Sequence, residues 1–423
     1  MMYDQTLDIS HLQNLLDKSL TPYHVVTYIE QKLVYYLNAK ELKLDNKWSL
    51  ETGFYYVKKE GTSLIAFNIN TNNVHEPFLI ATAHSDSPSL KLKIESIKKT
   101  NNVFSNHIEV YGSPIISTWT DRDLSLAGFV YFNKDGIINS ELITIENIGI
   151  IPNVAIHLNR KANEGFAYDA HEHIIIITSL QKSIKEKILE KLQISEKDFL
   201  SCDLIFTASE QAKIIGSEGE FLASKNLDNK AGCHAIMNAF VHTNHNRNKV
   251  IVFFDNEEIG SLTSRGANSK LLTEVLERID HALNLEKEEH LIKLNKSFNI
   301  SMDGAHGTHP GYIEKHDPNY QIALGKGITI KSNANFKYAT TANGYAKLKL
   351  LAMKNNIKTQ EIIMKANTNS GTTIGPIANS QTGIETIDIG IPMWGMHSLR
   401  ETIAISDHIE AIKLIRVFFE NWN

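Results

Sequence analysis

The chain has 423 residues, 42% of them apolar and 22% charged, so we expect a globular protein of two domains with a substantial core. The 43 Lys and Arg against 48 Asp and Glu give a net charge of −5, and the basic residues are dispersed, which argues against a nucleic-acid partner. The start MMYDQTLDISHL lacks the pattern of a signal peptide and no apolar run reaches membrane-spanning length, which predicts a cytoplasmic protein without a membrane partner.

The predicted elements separate helical flanks from a strand-rich middle. Thr21 followed by Pro22 is typical of a helix start, and the final segment from Asp407 has its apolar residues at helical spacing. Between residues 93 and 221 the pattern is mainly β, with one helix near 185–194. The segments with strand character are LKLKIESI, HIEVYG, AGFVYF, ELITIEN, VAIHL, IIIITSL and DLIFTAS.

The most informative segment is the apolar run from Val250 to Phe254, which ends in the pair Glu257 and Glu258. The run reads as a strand buried on both faces, and open α/β sheets bind ligands at the carboxyl ends of their strands. One of two neighbouring carboxylates can coordinate a cation while the other moves a proton. An isolated Glu-Glu pair is more often an acidic loop start, so the neighbouring segments decide.

Four further segments change from apolar residues to His or a carboxylate at the same end of an element. The residues at these ends, in chain order, are His84 with Asp86, Asp228, Asp303 and His397. Two His and several carboxylates are ligands that suit zinc, or manganese or cobalt, better than copper(I) or an iron–sulfur cluster. Cys233 follows Asp228 on the apolar stripe of a predicted helix, and we interpret it as a buried hydrophobic residue rather than a ligand.

All these candidate ligands lie outside the β-rich middle. The sequence therefore predicts an α/β protein whose mixed-sheet catalytic domain, with flanking helices, is interrupted by a β-rich insertion. The expected boundaries are 1–92 and 222–423 for the two parts of the catalytic domain and 93–221 for the insertion.

The chain resembles the M18 family of metalloaminopeptidases, the aspartyl aminopeptidases of the di-zinc clan. The resembling motifs span nearly the whole chain: AHSDSP (83–88), STWTDRDLSLAG (117–128), NLDN (226–229), DNEEIGS (255–261), DGAHGTHPGY (303–312), SGTTIGPI (370–377) and GMHSLRE (395–401). The resemblance implies two divalent metal ions per chain, most simply zinc. It also implies that the insertion forms a homo-oligomer, with dimers assembled into a dodecamer.

The resemblance implies a role for each candidate ligand. Asp228 would bridge the two ions, and the remaining ligands would be His84 and Asp303 for one ion and Glu258 and His397 for the other. Glu257 would be the general base and acid. Asp86 would orient His84, which agrees with the general tendency of a ligating imidazole to donate its other N–H to a carboxylate.

Five further residues are candidates for substrate binding, and four of them have a structural alternative. His157, at a predicted strand position, is by default a core or interface residue, but the resemblance allows it to reach a neighbouring subunit's site. His306 could be an extra metal ligand, but the proposed site is already filled, so we interpret it as structural or as part of the substrate pocket. Gly371 is part of a substrate-lining loop or of a plain strand–turn–helix joint. Lys331 would ordinarily be a solvated lysine at a strand end, whereas the resemblance places it near a pocket for an acidic side chain. Met396 is expected to contact substrate.

Two departures from the family pattern affect the expected specificity. Gly304 stands where relatives have a bulky residue, with Gly307 and Gly311 close by, so we expect a more permissive pocket loop. Asn226 stands in place of an arginine and removes one local positive charge. Neither departure changes a proposed metal ligand.

The function we predict is removal of one N-terminal residue from peptides, with Asp or Glu preferred. One alternative is a neutral-residue aminopeptidase, and another is a metal-dependent deacylase or carboxypeptidase of the same clan, which an arginine for a substrate carboxylate would favour. A more distant alternative is a shell-forming binding protein with a structural metal. Glu257 argues against the last, because a closed structural site has no use for a non-ligating carboxylate.

Overall fold

The computed structural model describes residues 5–244, 246–368 and 371–422, with side chains from residue 8 onward. The chain divides into two compact units. The first comprises Met1–Asp86, Ala212–Met396 and Glu401–Asn423, and the second comprises Ser87–Gln211 with the short segment His397–Arg400. The sequence-based boundaries after residues 92 and 221 lie within ten residues of these divisions, but the sequence did not separate His397–Arg400 from the catalytic domain.

The first unit is built on a large mixed sheet, with strands numbered in chain order through both units. The bounds of its described strands are β1 Lys40–Glu41, β2 Gly53–Lys59, β3 Ser63–Ile69, β4 Leu79–His84, β13 Lys213–Ile215, β14 Phe221–Ser224, β15 Lys249–Phe254, β16 Phe298–His306, β17 Ile328–Ser332, β18 Thr359–Ile363, β19 Glu385–Trp394 and β20 Glu401–Ala404. These strands follow the order β1-β2-β3-β15-β4-β16-β19-β20-β14-β13, and β17 joins β19 to β18.

Helices cover both faces of this sheet. Their bounds are α1 Gln5–Lys18, α2 Pro22–Leu37, α4 Leu227–His242, α5 Leu271–Ala282, α6 Lys287–Lys296, α7 Ala342–Lys354, α8 Ile374–Thr382 and α9 Ile405–Asn421. Alternate residues of β15 enter two different cores: Ile251 packs in the cluster that contains α4 and α9 residues, and Val252 packs in the cluster that contains α5 residues. The prediction of a strand buried on both faces is confirmed, and so is the mixed α/β fold.

Four strands at the centre of the sheet are parallel neighbours in the order β15, β4, β16 and β19. Parallel strands bring their carboxyl ends to one edge of a sheet, so the segments that follow them meet there. The start of helix α4 also contributes a residue to this edge of the sheet. It begins at Leu227, has non-helical backbone angles at Asp228 and Asn229, and continues regularly to His242.

The second unit contains two antiparallel sheets and one described α-helix, α3 Ile184–Leu192. The strand orders are β10-β9-β12-β5-β8 and β11-β7-β6. The bounds are β5 Ser89–Leu92, β6 Lys98–Thr100, β7 Val103–Asn106, β8 Ile108–Tyr111, β9 Leu124–Lys134, β10 Ile137–Gly149, β11 Ile176–Ser179 and β12 Phe199–Ala208. Gly128 of the 117–128 motif is required by packing, because a Cβ there would lie 2.0 Å from Asp203 O on β12.

Most local predictions hold, and one strand prediction is wrong. Thr21 caps α2 by accepting the His24 N–H, and the apolar stripe of α9 is buried. The segment VAIHL, by contrast, is an exposed stretch of turns. Asn153, just before this stretch, donates its backbone N–H to the Asp121 carboxylate, a contact across 32 positions that a strand pattern does not reveal. Among the described residues, no helix combines the length and apolar character needed to cross a membrane.

Candidate metal centre

The ends of three parallel strands bring the central site residues together in the first unit. His84 is the last residue of β4, Asp303 lies in β16, and Glu257 and Glu258 follow β15 in a 3₁₀ turn. Asp228 joins them from the start of α4. Within the first unit, two groups of described residues have ligand atoms that all lie within 4.8 Å of one another: His84 with Asp228 and Asp303, and His84 with Glu257 and Glu258.

His84 lies at the centre of both groups and is 1% exposed. Its Nε2 is 3.3 Å from Asp303 Oδ1 and 3.4 Å from Asp228 Oδ1. Its Nδ1 faces Asp86, at 3.3 Å from Oδ1 and 3.1 Å from the backbone oxygen. One nitrogen therefore faces the carboxylates that could share a metal ion, and the other faces a fixed acceptor, the usual geometry of a ligating histidine.

Asp86 also holds the Glu257–Glu258 pair. Its Oδ1 accepts the backbone N–H of Glu257 at 3.1 Å, and its Oδ2 accepts that of Glu258 at 3.1 Å. Asp86 is fully buried, so these contacts are made away from water. One carboxylate thus links the end of β4 to the turn after β15 and sets the spacing between His84 and both glutamates.

The site concentrates negative charge where water is scarce. Burial raises the pKa of Glu257 to about 8; the attraction of His84 opposes this shift, and repulsion from Asp303 and Asp86 adds to it. Burial and repulsion by Asp228 raise the pKa of Glu258 well above its ordinary value. Burial alone would lower the pKa of His84, but its contacts with Asp228, Asp303 and Asp86 raise it well above 6.5. A divalent cation would stabilise the ionised form of such a cluster of carboxylates.

Lys331 supplies a cation beside this cluster. Its Nζ is 3.1 Å from Asp303 Oδ2, and its ammonium group lies 5.3 Å from the ring centroid of Tyr338. The side chain is 4% exposed, so the solvated-lysine interpretation is wrong. Burial would raise the pKa of Asp303, but Lys331 and His84 lower it well below its ordinary value.

The other residues predicted to bind substrate are divided between the two units. His306 is the last residue of β16 and is partly exposed, Met396 is partly buried, and Gly371 is exposed before α8. Ser370, which opens the quoted 370–377 motif, lies outside the described residues. In the second unit His157 is exposed in a turn, so its interpretation as a core residue is wrong.

His397 belongs to the second unit. It has a left-handed backbone conformation with φ of 68°, and its Nδ1 lies 3.0 Å from Ser113 O. The Ile115 N–H donates to the His397 backbone oxygen at 2.9 Å. Its part in metal binding remains a prediction.

Two contacts near Asp228 were not predicted from the sequence. The carboxylate of Glu401, which is buried, accepts the Asp228 backbone N–H at 3.0 Å. The thiol of Cys233 is buried as predicted and donates to the backbone oxygen of His84 at 3.0 Å. Glu401 is the last residue of the 395–401 motif, and this position was the signal in the sequence that could have identified it as part of the site.

The expectation of a permissive loop at Gly304 does not match the packing. A Cβ at Gly304 would lie 2.7 Å from Met396 Cε and 2.9 Å from Met393 Cε. At Gly307 it would lie 2.5 Å from Leu324 Cδ1. Neighbouring side chains already occupy the space that a side chain would take at these two positions. The absence of a side chain therefore does not enlarge a pocket.

The donor set fits zinc, which binds imidazole nitrogen and carboxylate oxygen in protein sites. This donor set lies at the carboxyl edge of a parallel sheet, next to a second glutamate that could transfer a proton. Such an arrangement is typical of a metallopeptidase centre. The description "Aminopeptidase I zinc metalloprotease (M18)" belongs to the family model that matches residues 15–419, and the chain belongs to this family. It is accordingly an M18 aminopeptidase, an exopeptidase that hydrolyses peptide bonds.

Individual relatives agree with this assignment. The chain is 69% identical over 420 residues to a Borreliella burgdorferi protein named "Probable M18 family aminopeptidase 2", with 99% of each chain covered. The solved structure of an Ape4 and Nbr1 complex matches with a TM-score of 0.93 and 30% identity, covering 99% of this chain and 86% of the other. The mApe1 dodecamer of S. cerevisiae matches with a TM-score of 0.86 and 26% identity, covering 99% and 97%.

Proposed function

We propose that the enzyme uses two zinc ions to remove single N-terminal residues from peptides, with Asp and Glu preferred. His84 and Asp303 would hold one ion, Glu258 and His397 would hold the other, and Asp228 would contribute to both. The placement of Asp228 and Asp303 oxygens within 3.4 Å of His84 Nε2 supports the first half of this set. The second half rests on the family resemblance for His397 and on the position of Glu258 after β15.

The observation that carries the proposal is the anchoring of two adjacent glutamates by one buried aspartate. Because Asp86 fixes both backbone amides, the side chains of Glu257 and Glu258 can take different jobs from one turn. When bound, a pair of zinc ions would lower the pKa of a shared water and polarise the scissile carbonyl. Glu257 takes the proton of the attacking water and delivers it to the leaving amine.

The acidic preference rests on Lys331. Its ammonium group contacts a proposed ligand, Asp303, from within the buried part of the first unit. A buried ammonium group attracts a substrate carboxylate far more strongly than an exposed one, because neither charge is screened by water. The same lysine also faces Asp303, so it serves both the ligand and the incoming side chain in this proposal.

We further propose that the chain forms a homo-oligomer of dimers assembled into a dodecamer. A solved relative with the same fold is a dodecamer. The second unit exposes large apolar side chains, among them Ile137 at 67%, Ile138 at 71% and Leu158 at 80%. A contiguous patch of exposed apolar side chains is typical of a protein–protein interface, and the proposal places these residues in such a patch. Light scattering after size-exclusion chromatography measures the assembly, and a monomer at micromolar concentration would refute it.

The experiment that tests the activity compares peptides that differ at one position. Zinc-loaded enzyme is given peptides that begin with Glu, Asp, Leu or Ala, each with a free and with an acetylated N-terminus. We expect release of the first residue from the free forms alone, with Glu and Asp fastest. Cleavage of acetylated peptides would refute exopeptidase action at a free amine, and faster release of Leu would refute the acidic preference.

A further inference from the structure

Asp388 is a buried carboxylate whose hydrogen-bond partners come from three different segments. It lies in β19 and is fully buried. Its Oδ1 accepts the hydroxyls of Ser301 and Thr373, each at 2.7 Å, and its Oδ2 accepts the Ala339 N–H at 2.6 Å. Its own N–H donates to Thr340 Oγ1 at 3.0 Å. Bonds to an ionised acceptor are stronger than bonds between neutral groups, so this carboxylate is a strong junction.

The sheet register places Asp388 between the strand of a proposed ligand and the strand of Lys331. It pairs with Ser301 on the parallel strand β16, two residues before Asp303, and with Lys331 on the antiparallel strand β17. The Lys331 stem then passes over Gly390, where a Cβ would lie 2.7 Å from Lys331 Cε. Asp388 thus lies next to Lys331 in the sheet, two residues along β19 from Gly390, which adjoins the contact between Lys331 and Asp303.

The two loops that Asp388 holds also contact each other. The first is segment 337–340, which carries Tyr338 against Lys331. The second is segment 371–375, which carries Gly371 and leads into α8. Thr372 Oγ1 donates to the Lys337 backbone oxygen at 3.2 Å, so the loops are joined directly. At the start of α8, a Cβ on Gly375 would lie 2.2 Å from Asp388 Oδ2, so only glycine lets the helix N-terminus approach this closely.

We propose that Asp388 is a positioning residue for substrate selection: it locks segments 337–340 and 371–375 together and thereby fixes the surroundings of the Lys331 ammonium group. This inference rests on the proposed function, in which Lys331 faces the first side chain of the substrate. The carboxylate contacts neither a proposed ligand side chain nor the reacting atoms. Its effect is on which first residue the enzyme prefers.

The test substitutions are Asp388→Asn, which keeps the shape and removes the charged acceptor, and Thr373→Val, which removes one tether and leaves the carboxylate intact. For zinc-loaded enzyme, kcat and KM are measured on peptides with different first residues. We expect the ratio of kcat/KM between the most and least preferred peptides to fall roughly tenfold in Asp388→Asn, the worth of one hydrogen bond to a charged group, and less in Thr373→Val. Hydrogen exchange of amides in both segments should accelerate together.

Asp280→Asn is the matched control. Asp280 is an equally buried carboxylate that pairs with Lys293 and His290, and its partners belong to α6. We expect it to lower the unfolding temperature and to leave the selectivity ratio unchanged. The proposal is overturned if Asp388→Asn and Thr373→Val keep both the selectivity ratio and the exchange protection of the unmodified enzyme. It is also overturned if Asp280→Asn changes the ratio as much as Asp388→Asn does.

Failure of the proposed function gives a different result. The ratio is taken between whichever residues the unmodified enzyme prefers and rejects, so a preference for Leu would refute the acidic assignment without deciding the role of Asp388. If Asp388→Asn does not fold, Thr373→Val decides the question, since it deletes one neutral donor. The hydrogen-exchange measurement decides it independently of activity.

Discussion

Lys331 Nζ lies 3.1 Å from Asp303 Oδ2, in a contact where the two side chains are only 4% and 14% exposed. The ammonium group therefore faces a carboxylate that we propose as a metal ligand. Removing one member of a buried pair leaves the other charge uncompensated, which typically costs about 3–5 kcal/mol. A substitution at Lys331 is thus expected to affect the site as well as the choice of substrate.

Replacing Lys331 by Met should lower kcat/KM for Glu-peptides much more than for Leu-peptides. The lost ammonium group no longer attracts the substrate carboxylate, whereas both substrates share the effect on Asp303. Steady-state kinetics on matched Glu- and Leu-peptides measures the difference, and Lys331→Arg, which keeps the charge, is the control. Equal losses on both substrates would show that Lys331 serves Asp303 alone.

Replacing Glu257 by Gln should remove catalysis and retain the metal ions. The amide keeps the shape of the side chain but cannot accept the proton, so we expect kcat to fall roughly 10²–10⁴-fold. Elemental analysis and peptide turnover are measured on the same sample, with the exposed Glu274→Gln as control. Near-normal turnover with full metal content would rule out Glu257 as the base.

Replacing Asp228 by Asn should weaken both metal ions together, because a bridging carboxylate contributes to each. His84→Ala should weaken mainly one. Zinc content is followed by elemental analysis during stepwise dialysis against a mild chelator. Retention of both ions in Asp228→Asn would argue against the bridge, and loss of both in His84→Ala would show that the two ions bind as one unit.

Stability should fall in mildly acidic solution because of a buried histidine pair. His234 Nδ1 lies 3.0 Å from His408 Nε2, and neither residue is exposed. Burial lowers the pKa of His408 to about 4, and burial with repulsion from His408 lowers that of His234 well below 6.5. The charged or titratable neighbours that influence the pair are Asp8, His11, Lys32 and His242.

The sign follows from linkage. Both histidines are neutral in the fold, so their contribution is complete above pH 6.5 and is lost as the unfolded chain takes up protons between about pH 6.5 and 4. For His408 the loss reaches about 3 kcal/mol. Urea unfolding at several pH values should show a smaller decline in His408→Gln than in the exposed-site control His75→Gln. Identical declines in the two variants would exclude the pair as the cause.

The sequence predicted the mixed α/β fold because strand burial depends on local patterns, whereas the roles of the site residues stay a prediction. The apolar run from Val250 to Phe254 must be buried on both faces, and an abrupt change to Glu257 and Glu258 marks its carboxyl end. VAIHL shows the limit of this reasoning: alternating apolar residues form a strand only where a neighbouring strand offers hydrogen bonds, and that neighbour is not encoded in the segment. His397 likewise depends on long-range packing, which assigns it to the second unit.

Charges buried within the sheet were the least predictable feature. Lys331 has a strand sequence typical of a solvated end, and only the approach of β16 and β19 shows that it is enclosed. Asp388 is an ordinary strand residue by pattern, and its three partners lie 87, 49 and 15 positions away along the chain. Partners at such separations are determined by topology rather than by local spacing.

The way Asp86 holds the turn of Glu257 and Glu258 bears on how this enzyme could be redesigned. The groups it grips are peptide N–H groups, and any amino acid except proline supplies one. Positions 257 and 258 are therefore placed without help from their own side chains. Other acids, bases or metal ligands substituted at these two positions are therefore expected to be attached to the same backbone positions.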